Sequence, residues 1–330
     1  MPERVPIVVV AGSLGSGKTT VLNHVLRHRA DSRIGLLVND FGDIAVDAML
    51  VESISDATAS MAGGCLCCVI DDGELNGQLA SLTSPQLGLD VVLVETSGVA
   101  DPTVAVQRIH DALGRHARLG GLVHVVDAPS IVAEDDVRAR LGRASLVLVT
   151  KTDLVDSTRV EDVLREVRRE APETTVVPAL WGAVPPRLLF DVRDEPDVER
   201  QLLLGEAGMD DGQRPHVHLD QVSWQSSGTV HPRRLIETLE NGLRGAYRVK
   251  GILDVDLSDR RGQWVVHRVG PYVQALPGPR GSGSAIVAIG PSLDAREVHA
   301  QMAACLLEHD ESLDPVETYT FWRRVPHEHR

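Results

Sequence analysis

A chain of 330 residues, 43% hydrophobic and 24% charged, is long enough for about two domains and apolar enough to fold, which excludes a mainly disordered protein. Its 33 basic residues against 47 acidic ones leave a formal charge of −14, a poor match for nucleic-acid phosphates, and only 3 Phe, 3 Tyr and 4 Trp are available as stacking platforms. No apolar run approaches the roughly 18 residues of a membrane span.

The first apolar run, residues 6–11, goes straight into glycines and reads as a strand rather than a signal peptide, so the expected location is the cytoplasm. A helix is predicted over 18–29 and a second strand over 34–38. Three more near-continuous Val/Leu runs, 91–94, 122–126 and 146–149, read as strands buried on both faces, and residues 158–170 have helical spacing. Alternation of such strands with helices predicts a doubly wound α/β domain with a parallel sheet over residues 1–190. Residues 191–214 are rich in Asp, Glu, Gly and Arg and read as a linker. From 215 to 330 the pattern changes to a smaller α+β domain with an antiparallel sheet. Its strands are expected at 216–222, 251–257, 264–269 and 285–289, and its helices at 232–243 and 293–307. Residues 277–284, Pro-Gly-Pro-Arg-Gly-Ser-Gly-Ser, are expected to form a hairpin loop.

Gly12-Ser13-Leu14-Gly15-Ser16-Gly17-Lys18-Thr19 fits the phosphate-loop pattern G-x-x-x-x-G-K-[ST] between a strand and a helix. Gly12, Gly15 and Gly17 let the backbone amides of the loop, Ser16 among them, turn toward phosphate oxygens. The helix start at Lys18, Thr19 and Thr20 adds its partial positive charge. Lys18 would bridge the outer phosphates, and Thr19 would ligate Mg²⁺.

Thr150-Lys151-Thr152-Asp153 at the end of a late strand fits [NT]-K-x-D. The Asp153 carboxylate can accept from the N1–H and 2-amino group that guanine presents side by side and adenine lacks. The stem of Lys151 can lie over the base. Glu95-Thr96-Ser97-Gly98 places an acid just past an apolar strand, where a P-loop enzyme keeps its Mg²⁺- or water-handling carboxylate, and Gly98 can offer a backbone N–H to the γ-phosphate. Asp127 also ends a strand, where helix capping is an equal explanation.

Cys65, Cys67 and Cys68 fall within Gly-Gly-Cys-Leu-Cys-Cys, a density of thiols that suits a soft metal such as Zn²⁺, Co²⁺ or Cu⁺ in a reducing compartment better than a disulfide framework. The fourth cysteine, Cys305, stands apart. Asp40, Asp43 and Asp47 follow the second strand and can contribute to a metal site or to Mg²⁺. The histidine pairs His24/His28, His216/His218 and His327/His329 are weaker candidates, better explained as structural or solvated.

Taken together, GSLGSGKTT, VNDFGDIAVD, GGCLCC, VETSGVADP, VVDA and TKTDL resemble the CobW family of metallochaperone GTPases, in the family's order. His231-Pro232 and Arg248-Val249-Lys250-Gly251 extend the resemblance into the second domain. It implies GTP hydrolysis coupled to delivery of a transition metal, zinc or cobalt, to a client metalloprotein, with Asp40 standing where the family usually has Glu. Neither nucleic acid nor membrane is expected as a partner, and a homo-oligomer is left open. Two rivals exist: a small-molecule P-loop kinase, which leaves TKTD and the thiols idle, and a metal buffer or sensor that binds nucleotide without turnover.

Overall fold

The computed structural model describes residues 4–39, 57–61, 72–98, 100–130, 141–172, 174–190, 219–257, 261–279, 281, 283–308, 311 and 313–325. The chain divides into two compact units, the first built mainly from residues 2–172 and 176–217 and the second from 218–330.

The first unit is organised on a seven-stranded sheet. Its strands are β1 (Val5–Gly12), β2 (Ile34–Asn39), β3 (Ala57–Met61), β4 (Val91–Glu95), β5 (Ala117–Asp127), β6 (Leu146–Thr150) and β7 (Thr175–Ala179), in the spatial order β3-β2-β4-β1-β5-β6-β7. The pairings from β3 across to β6 are all parallel. Every residue of β1, β4 and β6 is buried, which is why these strands are unbroken apolar runs. The helices are α1 (Lys18–Arg27), α2 (Asp72–Leu82), α3 (Pro102–Asp111) and α4 (Ser157–Glu170). Asp101 caps α3 by accepting from Thr103 N at 2.8 Å, ahead of Pro102 in the first turn. Asp156 caps α4 through Arg159 N at 2.8 Å.

The order matters for function. β4, β1, β5 and β6 are adjacent and parallel, so the loops after their C-terminal ends emerge side by side. Those loops carry the phosphate loop, Glu95, Asp127 and the TKTD segment. An open parallel sheet binds its ligands at this edge.

The second unit has strands β8 (Asp220–Ser226), β9 (Arg248–Asp256), β10 (Arg261–Val269), β11 (Tyr272–Pro277) and β12 (Ser284–Gly290), in the order β11-β10-β9-β12-β8 with antiparallel pairings. Helices α5 (Pro232–Asn241), α6 (Ala295–Ala304) and α7 (Pro315–Trp322) complete it. Trp264, Phe321, Leu235 and Met302 belong to its core, and the Trp264 ring meets Phe321 edge-on at 5.2 Å. His231 caps α5: its Nδ1 accepts from Arg234 N at 3.4 Å, and its Nε2 lies 3.6 and 3.5 Å from Glu311 and Glu317. Cys305 is buried in this unit, and its thiol is pushed up by burial.

One expectation is corrected. The segment 277–284 is not a hairpin loop, because β11 and β12 do not pair: β11 lies on β10 at the sheet edge, while β12 lies between β9 and β8. The Gly/Pro/Ser composition bridges strands that are not neighbours. Among the described residues no helix is long and apolar enough to cross a membrane.

Candidate functional site

β1 ends at Gly12 and α1 begins at Lys18, so the phosphate-loop residues form the turn between them. Two glycines are needed for geometric reasons. Gly17 has φ 97 at the start of α1, a left-handed conformation that side chains resist. Gly12 has φ 151 and runs so close to β5 that a Cβ there would stand 2.2 Å from Val125 O. Gly12 is the last residue of β1 and pairs with Val125 of β5, so the loop leaves directly from the C-terminal end of the central strand and runs into the start of α1, where a helix favours an anion.

Lys18 is 7% exposed, and its Nζ donates to the carbonyls of Gly12 and Ser13, both at 3.1 Å. This curls the ammonium back over the loop that would hold phosphate. Ser16 is fully buried, and its Oγ has no hydrogen-bond partner among the described residues. A buried hydroxyl in that condition at the head of a helix fits a phosphate oxygen. Thr19 Oγ1 donates to Glu95 Oε1 at 3.1 Å, which joins α1 to the end of β4. Glu95 is 5% exposed. A hydroxyl and a carboxylate in contact form an all-oxygen donor pair of the kind Mg²⁺ prefers. Thr20, the next residue, is exposed.

Gly98 is positioned against the same loop. A Cβ on it would stand 2.4 Å from Leu14 N and 2.6 Å from Leu14 Cα, so the glycine allows the turn after β4 to touch the P-loop backbone. Thr96 N anchors the turn by donating to Val10 O at 3.0 Å. Thr96 Oγ1 is buried with no hydrogen-bond partner among the described residues.

The TKTD segment follows β6. Thr150 Oγ1 lies 2.5 Å from Ser16 O and 3.1 Å from Val126 O, as donor. The first residue of the motif thus holds the phosphate loop. Lys151 has φ 53 and ψ 30, and its Nζ lies 3.2 Å from Asp127 Oδ2. That ion pair, absent from the sequence reading, gives Asp127 a role as the partner of Lys151. Asp153 is exposed in the 3₁₀ turn Thr152–Leu154. A second 3₁₀ turn, Leu180–Gly182 after β7, packs against both α1 and Thr152–Leu154. The sequence reading passed over it, although an isolated Trp-Gly after an apolar strand was the available signal.

The structure thus brings together Gly12, Gly15, Ser16, Gly17, Lys18, Thr19, Thr20, Glu95, Gly98, Thr150, Lys151 and Asp153 at one sheet edge. Cys65, Cys67, Cys68, Asp40, Asp43 and Asp47 lie outside the described residues, as do His216, His218, His327 and His329. His24 and His28 stack on each other along α1, with ring centres 4.1 Å apart.

A parallel sheet with this loop after its central strand, and a Thr/Glu pair at the loop's exit, defines a P-loop nucleotide-binding protein. Residues 6–178 match the model of the CobW/HypB/UreG nucleotide-binding domain, and residues 219–306 match that of the cobalamin synthesis protein cobW C-terminal domain. The chain therefore belongs to the CobW family of P-loop GTPases. Among its relatives, "Zinc chaperone CobW" of Sinorhizobium sp. is 26% identical over 292 residues, covering 76% of this chain and 82% of the relative. "Zinc chaperone YjiA" of Escherichia coli is 28% identical over 200 residues, covering 57% of this chain and 61% of the relative. The crystal structure of Zn(II)-bound YjiA GTPase from E. coli aligns with a TM-score of 0.43 at 18% identity, over 92% of this chain and 100% of that one.

Proposed function

We infer that this chain is a GTP-hydrolysing metallochaperone of the cytoplasm. It takes up a transition metal, zinc or cobalt, at Cys65, Cys67 and Cys68 and passes it to a client metalloprotein. The observation that carries the catalytic half is the Thr19–Glu95 contact at 3.1 Å beside Lys18. The names of the relatives, zinc chaperones among them, support the metal half. We take residues 1–190 as the GTPase domain, 191–214 as the linker and 215–330 as the C-terminal domain.

In this reading Lys18, Ser16 and the amides of the P-loop bind the phosphates, and Asp153 reads the guanine edge. Thr19 and Glu95 hold Mg²⁺, which when bound neutralises phosphate charge. Glu95 also orients the attacking water. Asp40, one methylene shorter than the family's usual Glu, completes the thiolate site. The segment carrying Asp40 and the thiols lies between the P-loop and Glu95, so a bound γ-phosphate can order it and hydrolysis can release it.

The test titrates Zn²⁺ and Co²⁺ into apo, GDP-bound and GTP-analogue-bound protein and follows GTP and ATP hydrolysis in parallel. The expected result is metal affinity that differs among the three states, with GTP the preferred substrate. Three identical affinities would reduce the protein to a metal-binding GTPase without a delivery cycle. Preference for ATP would remove the role given to Asp153.

A further inference from the structure

The first unit contains a single tryptophan. Trp224 and Trp264 are buried in the core of the second unit, and Trp322 packs partly buried against it. Trp181 is 60% exposed, so apolar burial does not account for an indole at this position.

Its backbone points the same way. Trp181 has φ 52 and ψ 28, a left-handed conformation uncommon for a bulky residue and kept only where the surroundings impose it. Those surroundings are visible. Ala183 N donates to Leu180 O at 2.9 Å and closes the turn. Gly182, at φ +74, lies so close to the start of α1 that a Cβ would be 2.9 Å from Thr20 Cγ2 and 3.2 Å from Val21 N. Lys151 has nearly the same dihedrals. The adjacent strands β6 and β7 are thus each followed by a turn containing one left-handed side-chain-bearing residue, and the two turns pack together beside α1. One turn presents the exposed carboxylate of Asp153. The other presents an exposed aromatic ring. A planar base needs a polar partner for its edge and an apolar partner for its face, and these two turns supply one of each.

We propose that Trp181 stacks on the purine base of the bound nucleotide, an assignment that rests on the GTPase reading above. Stacking contributes affinity without choosing the base, because every base has a π-face. Choice of base belongs to Asp153, and phosphate binding to the P-loop. The three contributions are therefore separable by experiment.

The experiment compares wild type, Trp181→Ala and Trp181→Phe for binding of GTP, ITP and inorganic tripolyphosphate, which carries phosphates without a base. Trp181→Ala is expected to weaken GTP and ITP by the same factor, roughly 5- to 150-fold, and to leave tripolyphosphate unchanged. Trp181→Phe keeps a ring and is expected to stay within about threefold of wild type. In wild type, acrylamide quenching of the exposed indole should fall when GTP is added, and that GTP-protected component should be missing in Trp181→Phe. Equal GTP affinity in wild type and Trp181→Ala would overturn the proposal. So would loss of tripolyphosphate binding in Trp181→Ala, because the residue would then only shape the loop. A wild type that binds tripolyphosphate and GTP alike, with no contribution from the base, overturns the stacking and spares the P-loop. One that binds neither overturns the GTPase reading itself.

Discussion

Thr150 opens the segment expected to read the base, yet its hydroxyl lies 2.5 Å from Ser16 O and 3.1 Å from Val126 O. Removing that donor leaves a buried carbonyl short of a partner, at a cost of about 1–3 kcal/mol. Thr150→Val should therefore weaken GTP binding, and Thr150→Ser should restore most of it; titration calorimetry of the two variants checks this. Gly98 makes a sterically stricter case. Any side chain there must push the turn away from Leu14, so Gly98→Ala is expected to lower GTP turnover at least about tenfold while circular dichroism stays native-like. Asp153→Asn should shift preference from GTP to xanthosine triphosphate, since the new amide can donate to the 2-oxo group where the carboxylate accepted from an amine; competition binding decides. At this scale the identities of the P-loop residues were legible, because glycine, lysine and threonine at fixed spacing have few other uses. The contacts Thr150–Ser16 and Lys151–Asp127 were not, because they join residues 134 and 24 positions apart. Spacing along a chain carries no record of which loops meet.

The strands of the parallel sheet could be read because burial on both faces demands unbroken apolar runs. Those that escaped show where that signal fails. β3 is Ala-Thr-Ala-Ser-Met, with no Val, Ile, Leu or aromatic residue, and β7 contains a proline. α2 has weak helical amphipathicity with two glycines among its eleven residues, and α7 is a short helix of eight. The strand expected over 216–222 falls partly on residues 216–218, outside the described residues; within them β8 runs from Asp220 to Ser226, four residues further on, with Val222 and Trp224 buried and their neighbours outward. Just before β9, Tyr247 is fully buried, and among the described residues its hydroxyl has no hydrogen-bond partner. Burial pushes its phenol up to about 12 from 10.0. The native state therefore holds this proton through the range in which the unfolded chain loses it. Stability present below pH 10 should accordingly decline as the pH rises toward 12. Tyr247→Phe is expected to remove that decline, and at neutral pH to be neutral or stabilising, because an unpartnered buried hydroxyl costs about 1–3 kcal/mol. Urea midpoints of the second unit, which holds three of the four tryptophans, followed by tryptophan fluorescence at neutral pH and above pH 10, test both parts.

For the molecule as a whole, a delivery cycle requires the two binding events to share free energy. That coupling is reciprocal: if GTP tightens metal binding by some factor, metal tightens GTP by the same factor, typically about 5–150-fold, or 1–3 kcal/mol. Replacing Cys65, Cys67 and Cys68 by Ser should abolish the metal-dependent part and leave basal GTP affinity intact, as calorimetry in both orders of addition would show. The strand order has a different consequence, for biosynthesis. β1 is the middle strand of its sheet, yet its neighbours β4 and β5 are made long after it. About 83 residues separate the end of β1 from the end of β4, the first of its two neighbours to be made, roughly 4–17 s of translation at 5–20 residues per second. Throughout that interval the segment Val-Pro-Ile-Val-Val-Val-Ala-Gly has no strand to join. The strand that leads into the phosphate loop is thus also, among the described strands, the one that waits longest during synthesis for a partner.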